Sequence, residues 1–118
     1  MNVKKLESEN GLVLVQVEGQ INADTSSSVR DELGNSFDEA EAMLLIDMSK
    51  VEFIDSSGLS ALVSVHKILN SKGSVLALLQ PQSQAQTALR LTMLDKVFKV
   101  FFSREEADEF LAAVEGSA

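Results

Sequence analysis

Two serine hydroxyls stand where a buried strand is predicted to become a helix. The segment is Asp55-Ser56-Ser57-Gly58, and it follows an apolar run that ends at Ile54. Asp and Ser side chains at a helix start commonly cap free backbone N–H groups, and the same position stabilises an anion. Because Gly58 has no side chain, we expect another molecule to approach the backbone closely there. The turn is therefore predicted to cap the helix and either to bind an anion or to become one by phosphorylation.

The chain lacks the residues that would have to accompany this turn in a catalytic site. The chain has one histidine, His66, and no cysteine, which excludes thiol nucleophiles, thiolate zinc sites and multi-histidine metal sites. His66 lies about 15 Å along the same predicted helix from Ser56, too far for a Ser-His pair, and we expect it on the core-facing side. Asp47 and Asp55 resemble an acid pair, but the first is expected to end a strand and the second to begin a turn. We expect no enzymatic activity, no metal and no cofactor.

The composition narrows the class of protein and of partner. The 118 residues, 45% of them hydrophobic, suit a single domain over 1–118 with a substantial core. The net charge of −8 argues against nucleic acid, whose phosphates are bound by clustered Lys and Arg. No apolar stretch approaches the roughly 18 residues of a membrane span, and the first ten residues lack the apolar segment of a signal peptide. We therefore expect a cytoplasmic protein without direct membrane insertion.

The pattern along the chain predicts an initial hairpin followed by alternating helices and strands. Asn10-Gly11 is a strong hairpin signal, and short apolar runs favour buried strands. We expect Asp24 or Thr25 to cap the first helix, and Ser103 and Glu106 to form a capping box at the last. We predict strands over about 3–8, 11–18, 43–49, 74–80 and 96–102, and helices over about 25–40, 57–71, 83–94 and from 103. The order β-β-α-β-α-β-α-β-α implies a mixed, mostly parallel α/β sheet.

The helix that follows the serines has two distinct faces. Its apolar positions recur at helical spacing and are predicted to face the core, whereas small and polar residues occupy another side. The predicted core face contains Leu59, Leu62, Val63, His66 and Leu69. The predicted outer face contains Ser60, Ser64, Lys67 and Ser71. This outer face is either simply solvated or, because most of its side chains are small, open to close approach by a partner.

Three segments of the chain resemble the STAS domain, and in particular the bacterial anti-sigma factor antagonists. The core signature of that family is similar to residues 44–67, "LLIDMSKVEFIDSSGLSALVSVHK". Its first signature is similar to residues 17–25, "VEGQINADT", and its tail to residues 91–107, "LTMLDKVFKVFFSREEA". The resemblance implies the STAS fold, with a mixed four- to five-stranded, mostly parallel sheet and about four helices packed mainly on one face.

The resemblance also implies a phosphorylation switch. An antagonist of this family binds an anti-sigma factor that is a serine kinase, and by sequestering the kinase it releases a sigma factor. The kinase phosphorylates the serine directly after the Asp, which corresponds to Ser56, and a serine phosphatase reverses the reaction. Ser57 corresponds to a neighbouring hydroxyl that is not the usual acceptor. The residues expected at the partner surface are Asp55, Ser56, Ser57, Gly58, Ser60, Ser64, Lys67 and Asn22.

The chain departs from the family pattern in the loop before the first helix. Gln20 and Asn22 occupy positions where the family often has an acidic residue and Asp. Asn22 keeps a hydrogen-bonding side chain but brings no charge. Since other STAS domains serve in lipid transport complexes and signalling scaffolds, the alternative function is a constitutive subunit in which Ser56 is only a cap and a contact.

Overall fold

The computed structural model describes residues 1–38 and 40–116. Within these residues the order of strands and α-helices is the predicted one, which confirms the sequence interpretation. The strands are β1 (Asn2–Glu9), β2 (Leu12–Ile21), β3 (Met43–Ile54), β4 (Val75–Leu79) and β5 (Lys99–Phe101). The helices are α1 (Ser26–Ser36), α2 (Ser56–Ser71), α3 (Ser83–Leu91) and α4 (Arg104–Gly116). A 3₁₀ turn (Leu94–Lys96) lies between α3 and β5.

The strands form one mixed sheet in the order β1-β2-β3-β4-β5. β1 is antiparallel to β2, and each later pair of strands is parallel. The β1–β2 hairpin turns through Asn10 and Gly11, whose φ angles are 53° and 83°, the positive values that a type I′ turn needs. The Gly11 carbonyl accepts the N–H groups of Ala42 and Met43 at 2.7 and 2.9 Å. These bonds tie the hairpin to the start of β3.

β3 joins the strand predicted over 43–49 to the strand predicted to lead into Asp55, and it extends past its neighbour β4. The β3–β4 pairing stops at Asp47 opposite Leu79, whereas the β2–β3 pairing continues to Ile21 opposite Ile54. The prediction that a strand ends near Asp47 is therefore wrong, because the exposed Lys50 interrupts the apolar run without interrupting the strand. The last part of β3 consequently has a neighbouring strand on one side only.

Apolar side chains bury both faces of the sheet. α1, α2 and α3 cover one face, and α4 covers the other. The larger cluster includes Val13, Val15, Val29, Ile46, Leu62, Leu78 and Leu89. The smaller cluster includes Leu12, Met43, Leu45, Ala77, Leu79, Ala107 and Leu111. Because full burial of a Val, Leu or Ile side chain contributes about 1.5–3 kcal/mol, both layers stabilise the sheet, and the prediction of helices mainly on one face is confirmed.

α4 begins with the predicted capping box in a shifted form. Ser103 Oγ accepts the Glu106 N–H at 3.2 Å, but Glu106 Oε1 accepts the N–H of Phe102, at 2.8 Å, rather than that of Ser103. Arg104 donates two hydrogen bonds to the Glu7 carboxylate at 2.6 and 3.1 Å. These bonds hold the pKa of Glu7 below its ordinary value. The ion pair joins the start of α4 to the edge strand β1.

The region around α3 differs in two details from the prediction. α3 ends at Leu91, earlier than predicted, because Met93 takes a left-handed φ of 61° and a 3₁₀ turn follows. β5 accordingly starts only at Lys99.

His66 of α2 packs edge-on against Phe98 with ring centroids 5.5 Å apart, which agrees with a position toward the core. Its Nδ1 atom is buried, and none of the described residues hydrogen bonds to it.

Candidate partner-binding and phosphorylation site

Among the described residues, the side chain that caps α2 is that of Asp55. Its Oδ1 atom accepts the N–H groups of Ser57 and Gly58 at 2.9 and 3.1 Å, and its carbonyl accepts the Leu59 N–H at 3.0 Å. A cap of this kind stabilises a helix by about 1 kcal/mol, so the predicted capping role is confirmed and belongs to the carboxylate. Two of the N–H groups that a bound anion would need are already hydrogen bonded. The turn is therefore poorly suited to cradle a free phosphate.

The two serines have no capping role and differ in exposure. Ser56 is exposed and Ser57 is half-buried, and the hydroxyls of both are without a hydrogen bond to any other described residue. They open onto different grooves beside α2. The groove at Ser56 has a volume of about 400 Å³ and is also lined by Leu59, Val63, Lys67, Thr92 and Leu94. The groove at Ser57 has a volume of about 270 Å³ and is also lined by Ser26, Ser27, Arg30 and Ala61.

The outer face of α2 forms a ridge of small side chains between these grooves. Ser60 and Ser64 line both grooves, and the Ser64 hydroxyl donates to the Ser60 carbonyl at 3.0 Å. Lys67 is exposed, but it lies about three turns, roughly 16 Å, along the helix from Ser56. Its charge therefore cannot pair with a group on Ser56. The buried residues of α2 are Gly58, Leu59, Ala61, Leu62, Val65 and Leu69, of which Gly58, Ala61 and Val65 were not predicted to be buried.

Gly58 has a different task from the one expected of it. The residue is buried, and a Cβ atom there would lie 2.6 Å from Ile54 Cγ1 and 2.7 Å from the Ile21 carbonyl oxygen. The expectation that Gly58 lets another molecule approach the backbone is therefore wrong, because the ends of β2 and β3 already fill that space. Gly58 allows the first turn of α2 to lie directly on the sheet.

The end of β3 is held by a side chain that the sequence analysis missed. Gln84 Oε1 accepts the Ile54 N–H at 2.9 Å, and Gln84 Nε2 donates to the Ile54 carbonyl at 2.9 Å. Gln82 Nε2 donates to the Ser49 carbonyl at 2.8 Å. Since 30 residues separate Gln84 from Ile54, no local pattern reveals the pair. Both glutamines bond to the stretch of β3 that extends beyond β4.

The loop before α1 leaves the sheet beside the turn formed by residues 55–58, which is called the switch turn below. Ile21 pairs with Ile54, so Asn22 and Asp55 follow strand ends that are side by side. Asn22 Oδ1 accepts the N–H groups of Asp24 and Thr25 at 2.9 and 3.3 Å. Thr25 stands at the N-cap of α1, as predicted, but its side chain accepts no N–H group of the helix. Asn22 instead orders the turn that precedes the helix.

An acid pair of Asp47 and Asp55 and a metal site have less support from the described residues than the turn at Ser56 has. The Asp47 carboxylate accepts hydrogen bonds from Gln16 Nε2 at 3.1 Å and from the Ser49 N–H at 2.9 Å, whereas Asp55 is used as a cap. Within residues 1–38 and 40–116, no cluster of three or more His, Cys, Asp or Glu side chains could hold a metal ion. Every helix in the described part of the chain is too short or too polar to span a bilayer.

The sequence and the fold are both similar to those of known proteins. A sequence model of the STAS domain matches residues 4–107. The anti-sigma F factor antagonist of Paenibacillus polymyxa is 23% identical over 103 residues, which are 86% of this chain and 88% of that protein. An anti-sigma factor antagonist from Mycobacterium paratuberculosis has a crystal structure with a TM-score of 0.78 and 27% identity, covering 97% of this chain and 95% of that one.

The same fold also occurs inside a transporter. The murine anion transporter Slc26a9 gives a TM-score of 0.80 at 21% identity, covering 91% of this chain but only 18% of the transporter chain. Likeness at this identity shows the fold and nothing further. The choice among functions therefore depends on the residues of the site.

Gly58→Ala should lower the free energy of unfolding by about 1–3 kcal/mol, the usual cost of overpacking a filled site. Gly34→Ala is the matched control, because Gly34 lies inside α1 and, apart from its chain neighbours and the helix backbone around it, no atom of the described residues lies within 4 Å of its would-be Cβ. That change should raise stability by about 1 kcal/mol through helix propensity. Urea unfolding of both variants measures the difference. A Gly58→Ala protein as stable as the parent would contradict the close packing of α2 on the strand ends.

Proposed function

Because the chain belongs to the STAS domain family, we propose that it is an anti-sigma factor antagonist switched by phosphorylation of Ser56. The unmodified protein binds an anti-sigma factor serine kinase in the cytoplasm and so releases a sigma factor. Phosphorylation of Ser56 ends that binding, and a serine phosphatase restores it. The proposal is supported by relatives named as antagonists. The observation that carries it is the exposed Ser56 hydroxyl, which has no structural task.

Ser56 is the better acceptor of the two serines for a physical reason. Asp55 performs the capping, so modification of Ser56 removes no bond from the fold. Ser57 is half-buried and lines the groove that also contains Arg30. A kinase must bring its phosphoryl donor into line with the acceptor oxygen. Exposure at the start of α2 makes that approach possible at Ser56, whereas Ser57 is partly covered.

A phosphate on Ser56 should end binding by charge rather than by unfolding. It adds about −1.5 to −2 charges at neutral pH next to the Asp55 carboxylate, and Lys67 is too distant to neutralise it. The helix start tolerates this charge within the domain. A close-packed partner surface must instead desolvate or repel it. A penalty of about 3 kcal/mol would weaken binding on the order of 100-fold.

The proposed partner surface consists of the switch turn, the outer face of α2 and the adjacent loop. Its residues are Asp55, Ser56, Ser57, Ser60, Ser64, Lys67 and Asn22. Gly58 supports this surface from below, because it is buried against the ends of β2 and β3. The small side chains of the ridge allow a partner backbone or side chain to come close to α2. The two grooves beside the ridge offer recesses for partner side chains.

A constitutive STAS subunit is the second candidate function. The amides of Gln20 and Asn22 favour it, since they stand where the family often carries carboxylates. In that case Ser56 would remain unmodified in the cell and would serve only as a contact. The phosphorylation state of the natural protein therefore distinguishes the two functions.

Ser56→Asp should weaken binding to the cognate anti-sigma factor by about tenfold or more, because it places a permanent charge in the interface. The fold should survive, since a carboxylate is favourable in the first turn of a helix. Ser28→Asp is the matched control: it adds the same charge to the first turns of α1, at an exposed residue that lines neither groove. Circular dichroism and isothermal titration test both variants. Parent-like binding by Ser56→Asp would rule out the charge switch.

Ser64→Arg should cost roughly tenfold or more in affinity for the same partner, because it adds bulk and charge to the ridge. Its effect on stability should be no more than about 0.5 kcal/mol. Asn70→Arg, at an exposed residue near the end of α2 that belongs neither to the outer face nor to the two grooves, is the control and should bind normally. Titration beside a melting curve separates affinity from stability. Normal affinity in a stable Ser64→Arg protein would place the interface elsewhere.

Asn22→Asp should speed phosphorylation of Ser56 by about tenfold or more if a carboxylate in this loop assists proton transfer or orients the kinase. The turn should persist, because an Asp oxygen can accept the same two N–H groups as Asn22 Oδ1. Asn35→Asp adds an equal charge at the exposed end of α1 and should leave the rate unchanged. Rates are followed with the cognate kinase and labelled ATP. An unchanged rate in Asn22→Asp would mean that the loop works with its amide.

A further inference from the structure

The last residue of β3 lacks a strand partner on the side that faces α3. β4 stops pairing with β3 at Asp47, so no strand of the described residues pairs with the backbone of Ile54 on that side. Gln84 fills the gap with its side-chain amide, whose oxygen and nitrogen each bond to Ile54 at 2.9 Å. An amide that accepts the N–H and donates to the C=O of one residue reproduces the pair of bonds that a neighbouring strand would make. α3 therefore completes the sheet at the point where it is incomplete.

Ile54 transmits this restraint to the start of α2. Its side chain is buried, and its Cγ1 atom lies 2.6 Å from the position of a Cβ on Gly58. The next residue, Asp55, caps α2 and donates its own N–H to the Ile21 carbonyl at 3.1 Å. The backbone that leads into Ser56 is thus held from two sides, by the end of β2 and by Gln84.

We propose that Gln84 is a positioning residue for phosphorylation of Ser56: its amide fixes the end of β3 and thereby the place of the acceptor hydroxyl. This inference rests on the proposed function of Ser56. Gln84 lies in α3, outside the residues that line the groove at Ser56, so it acts through Ile54 and Asp55. A displacement of about 1 Å at a reacting atom can reduce a rate on the order of 100-fold. A restraint on the backbone before Ser56 is therefore expected to matter for the transfer step.

Gln82 provides a matched control within the same helix region. It also donates a side-chain hydrogen bond to β3, at the Ser49 carbonyl, but that residue lies earlier in the strand than the switch turn. Gln84→Ala and Gln82→Ala therefore each remove an exposed glutamine that bonds to β3. Only Gln84→Ala removes hydrogen bonds from Ile54, the residue next to the Asp55 cap. Gln84→Glu is the conservative variant, because a carboxylate still accepts the Ile54 N–H but cannot donate to its carbonyl.

The first measurement is amide hydrogen exchange of the full chain, which needs no partner. Gln84→Ala should speed exchange at the Ser57 and Gly58 amides by about tenfold or more, because the capped turn opens more often. Exchange in the middle of β2 should stay unchanged. Gln82→Ala should leave the exchange rates at Ser57 and Gly58 as in the parent. Gln84→Glu should give rates between those of the parent and those of Gln84→Ala. Unchanged exchange at Ser57 and Gly58 in Gln84→Ala would overturn the proposal.

The second measurement is the steady-state rate of Ser56 phosphorylation by the purified cognate kinase with ATP. Gln84→Ala should lower kcat by about tenfold or more, because the Ser56 hydroxyl is misplaced. KM should stay within about twofold, because the ridge of Ser60 and Ser64 that contacts the kinase is intact. Gln82→Ala should behave as the parent. A loosened turn with an unchanged kcat would reduce Gln84 to a structural role and overturn the proposal. If the parent protein is not phosphorylated at all, the proposed function fails, and the exchange result alone decides whether Gln84 fixes the turn.

Discussion

The first turn of α2 lies directly on the ends of β2 and β3, and this contact governs the arrangement of the site. It requires a residue without a side chain at position 58, because a Cβ there would meet Ile54 and the Ile21 carbonyl within 3 Å. The contact fixes where α2 starts and therefore where the Asp55 carboxylate must cap it. Gln84, bonded to the Ile54 backbone, holds the same strand end from the opposite side. The helix start is consequently anchored to the sheet by packing and by hydrogen bonds together.

Because the helix start is anchored in this way, neighbouring residues of the turn have separate roles. Asp55 satisfies the free N–H groups of the helix, Gly58 permits the close packing, and Ser56 is left exposed with its hydroxyl uncommitted. A residue that performs no structural work can gain a phosphate without loss of the fold. Under the proposed function, a phosphate on Ser56 would change the charge of the surface beside the ridge formed by Ser60 and Ser64. We propose that this rigid support allows a single exposed hydroxyl to control binding.

Much of the fold could be predicted because local patterns encode it. The Asn10-Gly11 turn, the order of strands and helices and the cap at Asp55 all follow from nearby residues. The tasks of Gly58 and Gln84 could not be predicted, since they depend on contacts between residues distant in sequence, and Gln84 lies 30 residues from Ile54. The continuity of β3 was missed because the exposed Lys50 stands between its two apolar runs. Sequence thus located the candidate site, while the structure separated its supporting residues from its exposed ones.

The central claim is that Ser56 is the phosphate acceptor of a binding switch. The most direct measurement is mass spectrometry of the intact protein purified from its native cell, with the modified residue mapped by fragmentation. If Ser56 is the switch, one fraction of the protein carries the mass of one phosphoryl group, located on Ser56, and a second fraction lacks it. Protein that is wholly unmodified under all growth conditions tested, or a phosphate located on Ser57, would rule out a switch at Ser56.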